Sequence, residues 1–168
     1  PQWMWVTPKP VTYPTDPNQV AWDYEGGTEL RDPSGQELAD YYGRLAGWYT
    51  AGGFTDESGR RHQSGHHFKI DYWEVLNEIE PEHAIDARKY TKLYDRIVTE
   101  VRKVSPQTKF VGLALGRPRL AAETFEYFLD PKNHEPGIPL DMISYHFYAV
   151  PTVDQSSEVQ QYTVWDQA

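Results

Sequence analysis

The sequence of 168 residues contains no cysteine. This absence excludes disulfide bonds, thiolate nucleophiles and cysteine-ligated zinc sites, and it leaves the redox compartment undecided. No run of 18 apolar residues is present, so the sequence predicts no membrane-spanning helix. The Gly-x-Ser-x-Gly motif that carries the nucleophile of serine esterases is also missing, which makes a hydrolase of that class a weak hypothesis.

Positive charge is scarce. The chain has 16 basic against 25 acidic residues and a formal net charge of −9. Binding to nucleic acid releases counterions from the phosphates only where basic side chains are concentrated, and no such stripe is evident along the chain. The composition therefore disfavours a nucleic-acid partner and suits a neutral substrate. Nothing in it indicates a cofactor, a metal site or a cellular compartment.

Aromatic residues, in contrast, are abundant, with six Trp, twelve Tyr and six Phe making up 14 % of the chain. Aromatic rings pack into cores, but exposed rings also stack on the apolar faces of sugars. Four residues early in the chain are candidates for sugar stacking, with core packing as the alternative: Trp3, Trp5, Trp22 and Tyr24.

Hydrophobic periodicity predicts an alternation of strands and helices. Apolar residues at helical spacing predict helices over residues 36–51, 86–104 and 121–129. Short runs of β-forming residues predict strands over residues 3–7, 68–76, 110–115 and 141–149. Residues 156–168 are a candidate for one more helix. This order predicts parallel βαβ units, either as an open four-stranded sheet or as part of a closed barrel.

In parallel βα architectures the functional groups lie beyond the carboxyl ends of the strands. The second predicted strand ends in Asn77-Glu78, and the fourth carries His146 and Tyr148. We therefore expect these side chains to meet at one edge of the sheet.

Two stretches resemble a known group of enzymes. The run from Tyr72 to Glu78 (YWEVLNE) resembles the fourth-strand signature of the large clan of retaining (β/α)₈ glycoside hydrolases, and residues 144–148 (SYHFY) resemble its sixth strand. The sequence is most similar to glycoside hydrolase family 39, typified by β-xylosidases. The resemblance implies an α/β fold, a (β/α)₈ TIM barrel of which strands 3 to 6 are present, with residues 1–168 forming one partial catalytic domain.

The resemblance also implies roles for individual residues. Glu78 is the expected general acid/base, and Asn77 is expected to hydrogen-bond the 2-hydroxyl of the sugar. His146 would lie near the substrate and Tyr148 beside the nucleophilic carboxylate. Trp5 and Trp22 complete the predicted substrate contacts. The nucleophile itself, which a retaining enzyme needs about 5 Å from the acid/base, is expected beyond residue 168, and Glu158 is not assigned to that role.

Other titratable residues have plainer interpretations. Glu74 lies on the same strand face as Glu78 and is expected to be structural or to support the site, with direct chemistry as the lesser alternative. Glu80 and Glu82 are interpreted as loop charges. The histidines in residues 60–67 (RRHQSGHH) invite a metal hypothesis, but the segment lacks helical periodicity and is predicted to be a solvated loop.

The sequence thus predicts hydrolysis of O-glycosidic bonds by a retaining double-displacement mechanism, acting on an oligosaccharide or glycoside without a cofactor. The alternative is a non-catalytic carbohydrate-binding protein on the same scaffold. Without the nucleophile, we expect the 168-residue segment alone to be inactive. Because part of a barrel leaves strand edges and apolar faces uncovered, we also expect it to be poorly soluble or oligomeric.

Overall fold

The computed structural model describes residues 4–8, 15–16, 18 and 27–146. Within these ranges the chain forms seven strands and four α-helices. Their order is β1 (Trp5–Val6), β2 (Glu29–Leu30), α1 (Gln36–Thr50), β3 (Gly53–Thr55), β4 (Arg61–Gln63), β5 (Tyr72–Glu74), α2 (Ile79–His83), α3 (Ala87–Val104), β6 (Lys109–Leu115), α4 (Ala122–Leu129) and β7 (Met142–Tyr145). Two 3₁₀ turns, Pro118–Leu120 and Pro131–Asn133, lie before and after α4.

The central sheet has three parallel strands in the order β5-β6-β7. Trp73 lies opposite Phe110, and Gly112 lies opposite Ile143. Because α2 and α3 connect β5 to β6, and α4 connects β6 to β7, the chain forms two consecutive βαβ units. The predicted alternation of parallel strands and helices is confirmed for this part of the chain.

The expectation of a (β/α)₈ TIM barrel, with strands 3 to 6 in this chain, is wrong. The first predicted strand does not join the parallel sheet: Trp5 and Val6 pair antiparallel with Leu30 and Glu29, in a separate two-stranded sheet. A barrel closes only when many tilted strands complete a ring. Three short parallel strands, with β5 and β7 at the edges of the described sheet, do not close one.

Helices α1, α3 and α4 follow the sequence pattern closely, whereas α2 lies in a segment predicted to be a loop. The Asp86 side chain caps α3 by accepting a 2.7 Å hydrogen bond from the Lys89 N–H, as expected for an aspartate at the residue before a helix. The α1 helix ends before Gly52 and Gly53, both of which have positive φ angles that favour glycine. None of the helices in the described ranges is long and apolar enough to cross a membrane.

The hydrophobic core lies between α3 and the elements that pack around it, α1, α4 and β6. Helix α1 packs along one side of α3, and the sheet and α4 pack against other parts of it. The largest fully buried side chains include Tyr90, Tyr94, Phe110 and Phe128. Gly112 in β6 provides room for Phe128, since a Cβ atom there would lie 2.4 Å from the Phe128 Cζ. This close approach fixes α4 on the sheet.

The segment interpreted as a solvated loop contains β4, which forms an antiparallel hairpin with β3. His62 on β4 stacks on Phe54, with ring centroids 5.0 Å apart, and its Nε2 lies 2.6 Å from the Asp56 Oδ2. His66 stacks between Tyr49 and Phe68. The loop prediction is therefore wrong for residues 61–63, which form β4. His62 is held there by stacking across the hairpin and by a carboxylate partner, neither of which produces a periodic pattern in the sequence.

Candidate functional site

Strained backbone marks the carboxyl ends of two neighbouring strands. Leu76 (φ 65°) and Glu78 (φ 40°) follow β5, and Leu113 (φ 80°) and Ala114 (φ 45°) lie near the end of β6. A non-glycine residue in the left-handed region costs about 1–3 kcal/mol, and such residues cluster at functional sites. The edge at which the sequence predicted a site is therefore the edge at which the backbone is strained.

The Glu78 side chain is held in place by its surroundings. Its backbone N–H donates a 2.9 Å hydrogen bond to the Ala114 carbonyl. A Cβ atom at Gly116 would lie 3.1 Å from both the Glu78 Cγ and Cδ, so only the absence of a side chain there leaves the carboxyl room. The side chain is 18 % exposed. Glu78 is thus half-enclosed at the sheet edge and not turned into bulk water.

His146 meets Glu78, as the sequence predicted for residues at one edge. The chain just past β7 places His146, whose N–H donates to the Leu115 carbonyl at 2.7 Å. Its Nδ1 lies 2.7 Å from the Glu78 Oε1, and its side chain is 28 % exposed. When Glu78 is ionised, an Nδ1–H donates to the carboxylate and fixes its orientation. The two residues are 68 apart in sequence and are joined only by the packing of β5, β6 and β7.

A cavity of about 270 Å³ lies beside this pair. Its walls combine aromatic rings with acidic and amide side chains: Trp5, Tyr42, Glu74, Leu76, Asn77, Glu82 and His83. The Asn77 Nδ2 donates a 2.9 Å hydrogen bond to the Glu82 Oε1. The structure therefore brings the predicted binding residue Asn77 to a cavity, while Glu78 does not belong to the residues that line it.

Trp5 is a buried residue in the wall of this cavity. The residue is 3 % exposed, and its ring stacks on His83 with centroids 4.2 Å apart and planes 7° apart. The Lys89 Nζ lies 5.4 Å from the centre of the Trp5 ring. Trp5 is consequently packed in the core to a larger extent than the sugar-stacking prediction implied, and little of its ring surface faces the cavity.

Two residues of the cavity were not recognised from the sequence. Tyr42 is one of the apolar residues whose spacing predicts the helix over residues 36–51. Burial raises its pKa to about 12, so the phenol stays protonated and can donate a hydrogen bond. Burial lowers the pKa of His83, whose Nδ1 lies 2.9 Å from the Gly27 carbonyl. Helical periodicity explains Tyr42 fully, so the sequence does not indicate that Tyr42 also lines a cavity. His83 belongs to no motif that would indicate a site.

The glutamates interpreted as supporting or loop charges all make defined contacts. The Ser144 hydroxyl donates a 2.6 Å hydrogen bond to the Glu74 Oε1. The Glu80 Oε1 accepts from the Arg117 N–H at 2.6 Å, and its Oε2 is buried without a hydrogen-bond partner among the described residues. Since Glu82 lines the cavity and holds Asn77, the interpretation of Glu80 and Glu82 as simple loop charges is wrong.

Two predicted binding residues, Trp22 and Tyr148, lie outside the described residues, as do Trp3, Tyr24 and Glu158. Within residues 27–146 and the short described stretches before them, no group of three or more potential ligand side chains converges to hold a metal ion.

No protein-family model, curated protein or solved structure matches this chain.

Proposed function

We propose that this chain carries the general acid/base of a retaining O-glycoside hydrolase, with Glu78 in that role and the nucleophile supplied by residues beyond 168. The observation that carries the proposal is the 2.7 Å contact between the Glu78 Oε1 and the His146 Nδ1, which lie just past the ends of β5 and β7 on either side of β6. A half-enclosed carboxyl with a positioned hydrogen-bond partner is what proton transfer to a glycosidic oxygen requires.

The contact with His146 suits both steps of a double displacement. While the Glu78 Oε1 accepts a hydrogen bond from Nδ1–H, the other carboxyl oxygen can carry the proton that is given to the leaving-group oxygen. The carboxylate left behind keeps the same hydrogen bond, and it then removes a proton from the water that hydrolyses the glycosyl intermediate. His146 would thus hold the carboxyl in one orientation in both protonation states.

The adjacent cavity supports a sugar as the ligand. Its volume of about 270 Å³ is just below the range of about 300–1,000 Å³ of drug-sized ligand pockets, which suits a single sugar ring. The Asn77 amide, the Tyr42 phenol and the Glu82 carboxylate offer donors and acceptors for hydroxyl groups. Because carboxylates line the cavity, a neutral pentose or hexose fits it better than an acidic sugar.

One observation favours the second candidate, a carbohydrate-binding protein without catalysis. The cavity wall has its own aromatic and polar groups, and Glu78 is not among the lining residues. A sugar could be held there without approaching the Glu78–His146 pair.

Replacing Glu78 separates the two functions. In the longest natural chain that contains residues 1–168, we expect Glu78→Gln to lower kcat/KM on aryl glycosides with poor leaving groups by about 10²- to 10⁴-fold, the usual contribution of a general acid. Activated dinitrophenyl glycosides should still form the glycosyl intermediate, and azide should restore turnover by replacing water as the attacking group. The measurement is a comparison of steady-state rates with and without azide.

The control is Glu123→Gln, since Glu123 is an exposed glutamate in the first turn of α4. An activated fluoro-glycoside should label a carboxylate of the wild-type protein with one-to-one stoichiometry. If Glu78→Gln is as active as the control, Glu78 is not the acid/base. Saturable sugar binding with neither labelling nor turnover would establish the binding protein instead.

A further inference from the structure

A second cavity lies away from Glu78, in a groove between α1, α3 and α4. Its volume is about 550 Å³, twice that of the cavity beside Asn77. Helix α3 contributes Arg88, Lys92 and Arg96 to the groove, while Gln36 of α1 and Tyr127 of α4 contribute from the two flanks. We call this set of three cations with its flanking residues the α3 groove.

The three cations form a row along one face of α3. Residues four apart on a helix lie on the same face, and with a rise of 1.5 Å per residue each step along this row is about 6 Å. Arg88 and Arg96 therefore lie about one turn on either side of Lys92. All three side chains line the same cavity.

Described carboxylates do not pair with the cations of the row. Throughout the described ranges, no carboxylate lies within 4 Å of the charged nitrogens of Arg88, Lys92 or Arg96, in a chain whose net charge is −9. The neighbouring Lys89 and Lys103, in contrast, pair with Glu29 and Glu100. The row therefore keeps its charge available to a ligand.

Neutral contacts position two of the three side chains instead. The Arg88 Cζ lies 5.4 Å from the centre of the Tyr127 ring, a cation–π contact. The Arg96 Nη1 donates a 2.9 Å hydrogen bond to the Gln36 Oε1. These partners order the guanidinium groups without cancelling their charge.

The acidic residues of the groove are mostly compensated. The Asp95 carboxylate accepts from the Glu135 N–H at 2.7 Å and lies 2.6 Å from the His134 Nδ1. Glu100 accepts from the Lys103 Nζ at 2.6 Å. Glu135 is exposed on the wall, where solvent and salt screen its charge. When Lys103 is counted, four cations lie in or beside the groove against its three carboxylates, so the local charge is positive by one.

We propose that the α3 groove binds one phosphate or sulfate group, free or as the ester of a small molecule, between Arg88, Lys92 and Arg96. Guanidinium groups match tetrahedral oxyanions through paired hydrogen bonds, and lysine adds a point charge. Three cations are enough for one such group. They are too few for a polyanion, which the net charge of the whole chain would also repel.

The test is a titration of ¹⁵N-labelled protein with sodium phosphate, sodium sulfate and phenyl phosphate, followed by NMR at constant ionic strength maintained with sodium chloride. We expect saturable shifts confined to the amides of residues 88–96 and to the Nε–H signals of Arg88 and Arg96. Tighter binding of phenyl phosphate would identify an ester as the ligand, and equal or weaker binding would identify the free anion.

Lys92→Gln and Arg88→Gln should each weaken binding about tenfold, because each removes one charge-assisted hydrogen bond to the anion. The matched control is Lys109→Gln, which removes one positive charge from the exposed start of β6. Shifts that do not saturate, or an equal loss in the control, would show general charge screening and overturn the proposal. Neither result bears on Glu78.

Discussion

Glu78 shows how neighbouring residues impose a costly backbone conformation. Glu78 has a left-handed backbone conformation. The next residue, Ile79, is 1 % exposed, and Val75, three residues before Glu78, is fully buried. These two apolar side chains anchor the turn from both ends, so their burial offsets part of the strain at Leu76 and Glu78. Gly116 then leaves space for the carboxyl. The orientation of Glu78 is a property of the turn and of what packs around it.

His83 should make stability dependent on pH. Burial lowers its pKa, so between that lowered value and about 6.5 the unfolded chain binds more protons than the folded one. We therefore expect the contribution of His83 to the free energy of unfolding to be fully present above about pH 6.5 and to decrease as the pH falls through this window. Urea denaturation at pH 7.5 and 5.5 measures the effect.

In His83→Phe, which keeps an aromatic ring against Trp5, this part of the pH dependence should disappear even if the variant is less stable overall. His67→Phe serves as the comparison, since His67 is exposed. An unchanged pH dependence in His83→Phe would mean that His83 is not the titrating group.

Side chains hold the elements at the site together where the backbone hydrogen bonds between β6 and β7 are interrupted. The register of β6 and β7 shifts between Gly112 and Leu115, where two residues have positive φ. The Tyr90 hydroxyl of α3 accepts from the Leu113 N–H at 2.6 Å and donates to the Val75 carbonyl at 3.1 Å. The Ser144 hydroxyl accepts from the Ala114 N–H at 3.2 Å. Side chains thus satisfy the backbone groups that the irregular strand leaves unpaired.

The Asp95–His134 pair ties the turn after α4 to α3. The side chains of His134 and Asp95 are 3 % and 4 % exposed, and burial raises the pKa of Asp95. The His134 Nε2 also lies 2.6 Å from the Phe128 carbonyl. Removing one member of a buried pair leaves an uncompensated polar group. We therefore expect His134→Ala to lower the free energy of unfolding by about 3–5 kcal/mol, measured by urea denaturation.

A double-mutant cycle with Asp95→Ala should give a coupling energy of at least about 1 kcal/mol between the two residues. The comparison is His67→Ala at an exposed position, where a change within about 0.5 kcal/mol is expected. Additive effects of His134→Ala and Asp95→Ala would refute the pair as the link between α4 and α3.

At the scale of the whole molecule, the sheet is covered unevenly. Helix α3 buries β6, but Met142, Ile143 and Tyr145 on β7 are 49 %, 43 % and 58 % exposed. Within the described residues β7 pairs with β6 alone, so its outer edge offers backbone groups to another strand. Exposed apolar edge strands promote association between chains.

The 168-residue chain should therefore self-associate through β7. We expect sedimentation velocity to show oligomers at micromolar concentration, and Ile143→Lys with Tyr145→Lys to shift the distribution toward monomer, since lysine on an edge strand opposes pairing. Leu120→Lys is the control, because Leu120 is 83 % exposed but lies outside the sheet. A monomeric wild-type chain would contradict this prediction.

The sequence was sufficient for the elements that depend on local patterns. The apolar spacing of residues 86–104 predicted α3, and its predicted apolar face is fully buried. The β6 strand and the position of Asn77-Glu78 after β5 also follow from runs of β-forming residues. These features are determined locally, because helical periodicity, capping and strand propensity act over a few residues.

The tertiary structure alone decided how these elements combine. The antiparallel pairing of β1 with β2, which contradicts the expected barrel, depends on a contact between residues 25 apart, and the Glu78–His146 contact spans 68 residues. The sequence analysis did not single out Arg88, Lys92 and Arg96, because only the packing of α1 and α4 beside α3 forms a groove around them. Contacts between distant residues depend on the packing of the whole chain, which periodicity does not encode.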